Sequence, residues 1–339
     1  MSGPAACSLP LTDMLITRTP LRISIGGGGT DLPSYYRKFG GYVISAAINR
    51  YVYIGINHTF TDDYLLKYSA LERVKTIPEI KHPIFREALR MLNVEPPVEI
   101  VSLADVPAGT GLGSSGSFTV GLLRAIHAYR REHIASNAVA EEACRIEMDI
   151  LQQPVGKQDQ YIAAHGGLTA FEFRPDDSVA VETVKVPSDA LFDLEDRLLM
   201  FFTGYSREAT SILGDQKKRS VGGDRAMLEN LHTIKVLGRE IKGNLEKGNT
   251  REYGRLLHEH WLVKQSRSGG MSNAHIDELY NIGIKNGALG GKLVGAGGGG
   301  FLMFYAEDRS SLRRAMSASG LVEMRFQFDY EGSVVHSRE

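Results

Sequence analysis

The sequence has little cysteine, little excess charge and no long apolar run. Its cysteines, Cys7 and Cys144, are too few for a disulfide framework or a cysteine-rich zinc site. No apolar run reaches the ~20 residues that span a bilayer. Residues 1–13 carry no positive charge and do not resemble a secretory signal. We therefore expect reduced thiols, a cytoplasmic location without membrane attachment, and a tail over residues 1–13.

A strong charge of one sign is also missing. Lys and Arg together number 39 and Asp and Glu 40, which leaves a formal net charge of −1. Such a balance argues against a whole-surface affinity for nucleic acid or anionic membrane, while it leaves room for a local basic pocket. We expect small-molecule partners and no nucleic acid. The oligomeric state stays open.

Glycine is the residue in excess. The chain of 339 residues has 37 glycines, well above the usual ~7%. Many of them fall into three clusters, at residues 26–29, 109–116 and 287–300. Because glycine lets the backbone approach a ligand without a Cβ clash, this clustering suggests three turns against a bound ligand.

Strand-like and helix-like patterns occur throughout the chain and change in proportion near Pro187. Before this residue β-branched and aromatic runs dominate, and after it helical patterns dominate. At about 150 residues per domain the length suggests two domains. We predict α+β lobes over residues 14–187 and 188–339.

The most informative segment is residues 107–117, PAGTGLGSSGS, between a predicted strand and a predicted helix. Free backbone N–H groups at a helix N-terminus, approached through glycines, form an anion site. The alternative is a flexible turn with Ser114 or Ser115 as the helix N-cap. The segment is not a P-loop, which needs G-x-x-x-x-G-K-[ST]. It contains G-x-G-x-x-G, but residues 138–151 are helical where a dinucleotide fold needs a strand.

The ordered set of glycine motifs resembles the GHMP kinases, the superfamily of galactokinase, homoserine kinase and mevalonate kinase. Residues 107–117 are similar to its phosphate loop, and residues 292–300 are similar to its C-terminal glycine motif. Thr19–Arg22, Gly29–Asp31 and Gly41–Ile48 together resemble its N-terminal sugar motif. The resemblance implies a two-lobed α+β fold with an S5-like N-terminal domain and a ferredoxin-like C-terminal domain.

Within the superfamily, GGGGTD at residues 26–31 and GKQDQY at 156–161 resemble the D-glycero-D-manno-heptose 7-phosphate kinases. Galactokinases carry Gly-Glu-His before Thr-Asp, which this chain lacks. Val294 departs from the Ser or Thr that often precedes Gly-Ala-Gly. The resemblance implies ATP- and Mg²⁺-dependent phosphorylation of the anomeric hydroxyl, in nucleotide-activated heptose biosynthesis for surface polysaccharide. The alternatives are a kinase for fucose or mannose and a catalytically dead sugar sensor.

The resemblance also implies the site residues. Asp159 would act on the acceptor hydroxyl as base or positioner, with Arg22 as its partner, and Ser115 and Glu147 would hold the metal ion. The alternatives are a helix N-terminal acid for Asp159 and a solvated helix acid for Glu147. The remaining expected contacts are, for ATP, Pro107, Gly109, Thr110, Gly111, Leu112, Gly113, Ser114, Ser115, Gly297 and Gly298, and, for the sugar phosphate, Gly28, Gly29, Thr30, Asp31, Lys157 and Arg207. Lys264 and Arg37 are further candidate cations for the distal phosphate.

Overall fold

The N-terminal part of the chain builds one large sheet with helices against it. The structure is a computed structural model and describes residues 14–204, 209–267 and 270–336, apart from the side chains of 209–212. Its elements up to residue 187 are, in chain order, β1 (Leu15–Gly27), α1 (Pro33–Phe39), β2 (Gly41–Asn57), β3 (Tyr64–Lys67), β4 (Leu71–Val74), a 3₁₀ turn (Ile77–Glu79), α2 (Pro83–Met91), β5 (Val98–Ala104), α3 (Ser114–Tyr129), α4 (Ser136–Cys144), a π-helical stretch (Arg145–Ile150), α5 (Gln158–His165), β6 (Leu168–Phe173) and β7 (Val179–Thr183).

The long strand β2 organises this sheet. It pairs antiparallel with β1 along most of its length, with β6 at its first half and with β5 at its second half. The sequence predicts two short strands in place of β1 and two in place of β2. The structure has one continuous strand in each place, because the irregularities at Pro20/Leu21 and Ser24/Gly26 are register shifts and not breaks.

The second lobe is a smaller antiparallel sheet covered by helices. Its elements are α6 (Ser188–Arg197), β8 (Leu198–Phe202), α7 (Ala209–Val221), α8 (Arg225–Glu246), α9 (Thr250–Gln265), α10 (Ala274–Lys285), β9 (Ala288–Leu293), β10 (Phe301–Ala306), α11 (Arg309–Ala318) and β11 (Val322–Glu323). The strand order in the sheet is β11-β8-β10-β9. Along the chain, helices connect β8 to β9 and β10 to β11. This is the ferredoxin-like order, and the α+β prediction for this lobe is confirmed.

The chain ends by returning to the first sheet. Its last strand, β12 (Val334–His336), pairs antiparallel with β1, with Thr17 opposite Val335. Residues 334–336, which the sequence predicts as part of the second lobe (188–339), therefore add a strand to the edge of the first sheet. The boundary at residue 187 stays a prediction, and the predicted tail over residues 1–13 lies outside the described residues.

Helix α8 lies on the first sheet and brings the second lobe against the end of β1. A Cβ on Gly238 would lie 3.2 Å from the backbone nitrogen of Gly27, and a Cβ on Gly26 would lie 3.1 Å from Cδ1 of Ile241. Small residues at these positions therefore let helix and strand approach closely, at the point where the first glycine-rich turn begins. Within the described ranges, no helix is both long and apolar enough to cross a bilayer.

Candidate active site

A cleft between the lobes is lined by all three glycine-rich turns. The first sheet contributes the end of β1 and the turn after it, and the second lobe contributes α9 and the turn between β9 and β10. The charged and histidine side chains that line this cleft are Arg22, Asp31, Asp159, His260, Lys264, Arg267 and Lys292.

The loop before α3 presents backbone in place of side chains. Gly109, Gly111 and Gly113 all have positive φ, at 78°, 84° and 76°, a region that glycine occupies without strain. Gly113 is the N-cap of α3, and no side chain caps the helix there. The first N–H groups of α3 therefore have no side-chain acceptor at the cap, which is the arrangement that binds phosphate at helix N-termini. The serine N-cap alternative does not hold.

Not every predicted residue of this loop faces the cleft. Gly109, Gly111, Gly113, Ser114 and Ser115 line it. The other predicted positions in the loop serve its shape: the Thr110 hydroxyl donates to the carbonyl of Pro107 at 3.1 Å, and Leu112 is buried in the core. Pro107, Thr110 and Leu112 therefore do not line the cleft, and their contact with ATP stays a prediction.

The third glycine turn packs its backbone against the phosphate loop. A Cβ on Gly295 would lie 2.5 Å from the Cα of Gly111, and a Cβ on Gly300 would lie 2.2 Å from the carbonyl oxygen of Thr110. Lys264 on α9 holds the turn by donating to the carbonyls of Leu293 (2.9 Å) and Gly295 (2.5 Å). Of the predicted pair in this turn, Gly297 lines the cleft, whereas the N–H of Gly298 donates to the carbonyl of Met271.

Arg22 and Asp159 form a bidentate ion pair in the cleft. Arg22 Nε donates to Asp159 Oδ1 at 2.8 Å, and Nη2 donates to Oδ2 at 2.9 Å. A third donor, Nη1, bonds to the Gly111 carbonyl, so the guanidinium joins the phosphate loop to the start of α5. The arginine is buried while the Asp159 side chain is 31% exposed. A carboxylate that is held in one orientation and open to the cleft can accept a hydrogen bond from a ligand hydroxyl.

Glu147 lies behind the start of α3, in the π-helical stretch. Its Oε2 accepts from Ser115 Oγ at 2.6 Å and its Oε1 accepts from Gln160 Nε2 at 3.0 Å. The residue is 1% exposed, so it is not a solvated helix acid. Burial raises the pKa of this carboxyl, and the nearby charge of Asp159 raises it further.

The sugar motif folds as a turn closed by Asp31. Its Oδ1 accepts from the Gly29 N–H at 3.0 Å, and its Oδ2 accepts from the Gln158 N–H at 3.2 Å. Burial raises the pKa of Asp31, and the charge of Asp159 adds to this shift. The predicted neighbour Thr30 does not line the cleft, because its hydroxyl donates to the carbonyl of Tyr42 and accepts from the N–H of the same residue. The Thr30 hydroxyl supports the turn, and its contact with the sugar stays a prediction.

The predicted cations divide into three groups. Lys157 does not line the cleft. Its Nζ donates to Glu141 (3.0 Å) and to the Asp177 carbonyl (2.9 Å) on the other side of the α5 N-terminus. Arg37 pairs with the same Asp177 at the surface. Arg207 lies outside the described residues. Lys264 lines the cleft, as the sequence allowed.

Two further cations in the cleft were missed by sequence reasoning. Arg267 follows α9 three residues after Lys264, and Lys292 lies on β9 at the start of the third glycine motif. Both are buried, at 4% and 1% exposure. Burial first, and then the charges of Arg22 and Arg267, lower the pKa of Lys292 to about 7. Two signals in the sequence could have indicated them. Arg267 comes three residues after Lys264, and Lys292 lies inside a glycine motif.

Comparisons with known proteins agree with this architecture. One family model, described as GHMP kinases N terminal domain, matches residues 80–167, and another, GHMP kinases C terminal, matches residues 241–320. The chain is 30% identical to D-glycero-alpha-D-manno-heptose 7-phosphate kinase of Campylobacter jejuni, over 93% of this chain and 97% of that protein.

Solved structures give the same picture. A D-glycero-D-manno-heptose 1-phosphate kinase of Bacteroides thetaiotaomicron superposes with a TM-score of 0.79 at 26% identity, covering 96% of this chain and 99% of its own. The galactokinase of Lactococcus lactis in complex with galactose superposes with a TM-score of 0.77 at 17% identity, covering 95% of each chain, and shares the fold.

Proposed function

Since this chain belongs to the GHMP kinase family, we propose that it transfers the terminal phosphoryl group of ATP to the anomeric hydroxyl of D-glycero-D-manno-heptose 7-phosphate. The product is the 1,7-bisphosphate, a precursor for nucleotide-activated heptose in surface polysaccharide synthesis. The carrying observation is the Arg22–Asp159 pair, which lies beside the N-terminus of α3 in one cleft. The sugar is taken from the Campylobacter jejuni relative.

The phosphate loop supplies the nucleotide side of the cleft. Phosphoryl transfer needs the phosphates held in line with the acceptor and their charge neutralised. The uncapped N–H groups at the start of α3 and the positive-φ glycines before it can donate to phosphate oxygens at close range. The third glycine turn closes this loop from the side of the second lobe.

Ser115 and Glu147 are the residues that fit a magnesium ion. Ser115 lines the cleft and donates to Glu147, whose buried carboxylate would be stabilised in its ionised form by a neighbouring cation. The described residues contain no group of three or more His, Cys, Asp or Glu side chains arranged for a metal, and Mg²⁺ needs only one or two protein ligands beside phosphates. When bound, the ion would neutralise charge on the transferring phosphates.

Asp159 acts on the acceptor sugar. Its carboxylate accepts a hydrogen bond from the anomeric hydroxyl and can take up the proton as the oxygen attacks phosphorus. The two Arg22 hydrogen bonds fix its orientation. Because the transition state is loose, orientation counts at least as much as proton removal. Asp31, held by two backbone N–H groups, is placed to bind a further sugar hydroxyl.

The direct test is ADP release with magnesium and ATP. The acceptors to compare are heptose 7-phosphate, heptose 1-phosphate, mannose, fucose and galactose. We expect clear preference for heptose 7-phosphate. Turnover only with an unphosphorylated hexose would contradict the sugar assignment, and no ADP release with any sugar, despite ATP binding, would favour a sugar sensor.

The Asp159→Asn variant tests the catalytic assignment. We expect kcat to fall about 100-fold or more, since the amide neither takes up the proton nor keeps the charge that pairs with Arg22. The KM for ATP should change little. The matched control is Asp196→Asn, which alters an exposed carboxylate on α6. An unchanged kcat in Asp159→Asn, with the fold intact, would remove Asp159 from the reaction.

A further inference from the structure

One wall of the cleft carries more buried positive charge than phosphoryl transfer by Arg22 and Asp159 accounts for. The basic wall consists of Lys264, Arg267 and Lys292, which are 7%, 4% and 1% exposed. Arg22 has Asp159 as its counter-charge. Among the carboxylates that the structure describes, none forms an ion pair with a member of the basic wall. The three cations instead donate to backbone carbonyls and to neutral side chains.

Three buried cations close to one another are unfavourable unless an anion lies near them. Burying a charge without a counter-charge costs free energy, and like charges at close range add to that cost. Burial lowers the pKa of Arg267 to about 10, and burial together with the charges of Lys292, Arg267 and Arg22 lowers the pKa of Lys264 well below its usual value. An anionic ligand would relieve this repulsion, so the wall has the chemistry of an anion site.

Two anions could meet the wall: the phosphates of the nucleotide, and a phosphate that the acceptor sugar already carries. Position separates these sources. Lys264 holds the Gly295 turn, which contacts the phosphate loop at Gly111, and so lies on the nucleotide side. Arg267 lies on the sugar side, where its Nη2 donates to the Gly28 carbonyl at 3.3 Å and the charge of Asp31 acts to raise its pKa against the larger effect of burial.

The glycines of the sugar motif make room for Arg267. A Cβ on Gly29 would lie 2.4 Å from Arg267 Nη1 and 2.7 Å from Gln216 Nε2, and Gly29 has a φ of +81°. Gln216 donates to the Gly29 carbonyl at 2.9 Å, and Asn230 accepts from Arg267 Nε at 3.0 Å. The guanidinium is thus held in place from both sides and lies against the backbone of the sugar motif.

We propose that Arg267, with Lys292 beside it, binds the phosphate group that the acceptor sugar carries at the end away from the reacting hydroxyl. This inference rests on the proposed function and adds its specificity determinant. The charged, planar guanidinium suits a phosphate dianion, since it offers two parallel N–H donors. The enzyme would therefore select a phosphorylated sugar over the free sugar through residues of the second lobe.

The test compares two sugars that differ only in this phosphate. With Arg267→Gln we expect the KM for heptose 7-phosphate to rise about 100-fold, the cost of removing one partner of a buried charge pair. The KM values for free heptose and for ATP should stay within about threefold of wild type. Lys292→Met should act in the same direction. Arg239→Gln, which removes an exposed cation of α8, is the control and should change neither value.

Three results would overturn the proposal. A rise in the KM for ATP would assign Arg267 to the nucleotide. An equal rise for both sugars would make it a support of the pocket. An unchanged KM for heptose 7-phosphate would remove it from binding. If Arg267→Gln does not fold, Arg267→Lys replaces it and keeps the positive charge. This variant should still prefer the phosphorylated sugar, with a KM for heptose 7-phosphate above that of wild type but less than about 100-fold higher.

A separate measurement distinguishes this proposal from the proposed function. If the wild-type enzyme phosphorylates only free hexoses, the function fails, and titration of the enzyme with inorganic phosphate by calorimetry then tests the subsite alone. Binding that is lost in Arg267→Gln and kept in Arg239→Gln supports the subsite. Equal phosphate binding in wild type and Arg267→Gln overturns it.

Discussion

At the scale of single residues, the cleft depends on positions where a missing side chain leaves room for a charged one. A Cβ on Gly156 would lie 2.0 Å from Asp31 Oδ2, and a Cβ on Gly113 would lie 3.0 Å from the Arg22 side chain. Gly116 likewise leaves space for Asp159, at 2.8 Å from its Cβ. These glycines are therefore part of the site, although they offer no side-chain chemistry.

The Gly156→Ala variant tests this dependence. The new methyl group collides with the Asp31 carboxylate, which must move out of its two backbone hydrogen bonds. We expect the KM for the sugar to rise about tenfold, equivalent to ~1.4 kcal/mol of lost binding, with the KM for ATP unchanged. Gly243→Ala on α8, where a Cβ would meet nothing within 4 Å, is the control. A normal sugar KM in Gly156→Ala would show that Asp31 does not contact the sugar.

The pKa of Lys292 predicts a pH dependence of stability. It is lowered from 10.5 to about 7 in the folded protein, so between these values the unfolded chain binds the additional proton. Stability should therefore rise as pH increases from about 7, by ~2 kcal/mol up to pH 9 from this group. Lys292→Met should lose this gain in urea unfolding without phosphate or sulfate. Lys285→Met, at an exposed position, should keep it, and an equal gain in Lys292→Met would contradict the assignment.

Sequence reasoning found the residues that motifs mark and missed those that only the tertiary fold brings in. Arg22, Asp31, Ser115 and Asp159 do line one cleft, and Glu147 lies directly behind Ser115. Their roles in binding and catalysis remain predictions. The direction of a side chain around a turn is not encoded in spacing, so the sequence could not show that Lys157 points away from the cleft. Arg267 comes from the other lobe, outside any motif.

At the scale of elements, segments with a clear apolar pattern were easier to predict than segments with a weak one. The patterns predict helices over residues 224–246 and 250–266 and strands over 98–103 and 168–173, close to the observed α8, α9, β5 and β6. The short elements α1, α2, β3 and β4 were not predicted. In α2 the packing is what the pattern does not show, since Phe85 and Leu89 are buried in the core. Length alone does not explain the difference, because β5 and β6 were predicted although they have only seven and six residues.

The close contact of α8 with β1 gives a prediction for stability. A leucine at position 238 must enter space held by the Gly27 backbone and the Tyr42 ring, 3.2–3.4 Å from its Cβ. We expect Gly238→Leu to lower the free energy of unfolding by about 1–3 kcal/mol, since overpacking at a rigid contact forces the elements apart. Gly243→Leu, on an open part of the same helix, should be neutral or stabilising because leucine favours helix. Equal stability of the two variants in urea would contradict this packing.

At the scale of the whole molecule, the two lobes share their apolar interior. One core cluster extends from Leu21 and Ile54 in the first sheet to Leu237, Tyr253 and Phe301 in the second lobe. The chain then crosses back, so that β12 covers β1 and the Ser333 hydroxyl lies 2.8 Å from that of Thr19. A cleft whose walls come from both lobes is thereby held by a continuous core and by a returning strand.

This connection predicts a single cooperative unfolding transition. The only tryptophan, Trp261, is fully buried in a smaller core cluster of the second lobe, so its fluorescence reports that lobe, while far-UV circular dichroism reports the whole chain. The two thermal transitions should coincide.

Asp329→Ala should lower both midpoints equally, because Asp329 accepts from the Glu331 and Gly332 N–H groups and from the Tyr51 hydroxyl before β12. Loss of these bonds should cost about 1–3 kcal/mol. A fluorescence midpoint that stays fixed while the dichroism midpoint falls would show that the lobes unfold independently, and the returning strand would then stabilise the first sheet alone.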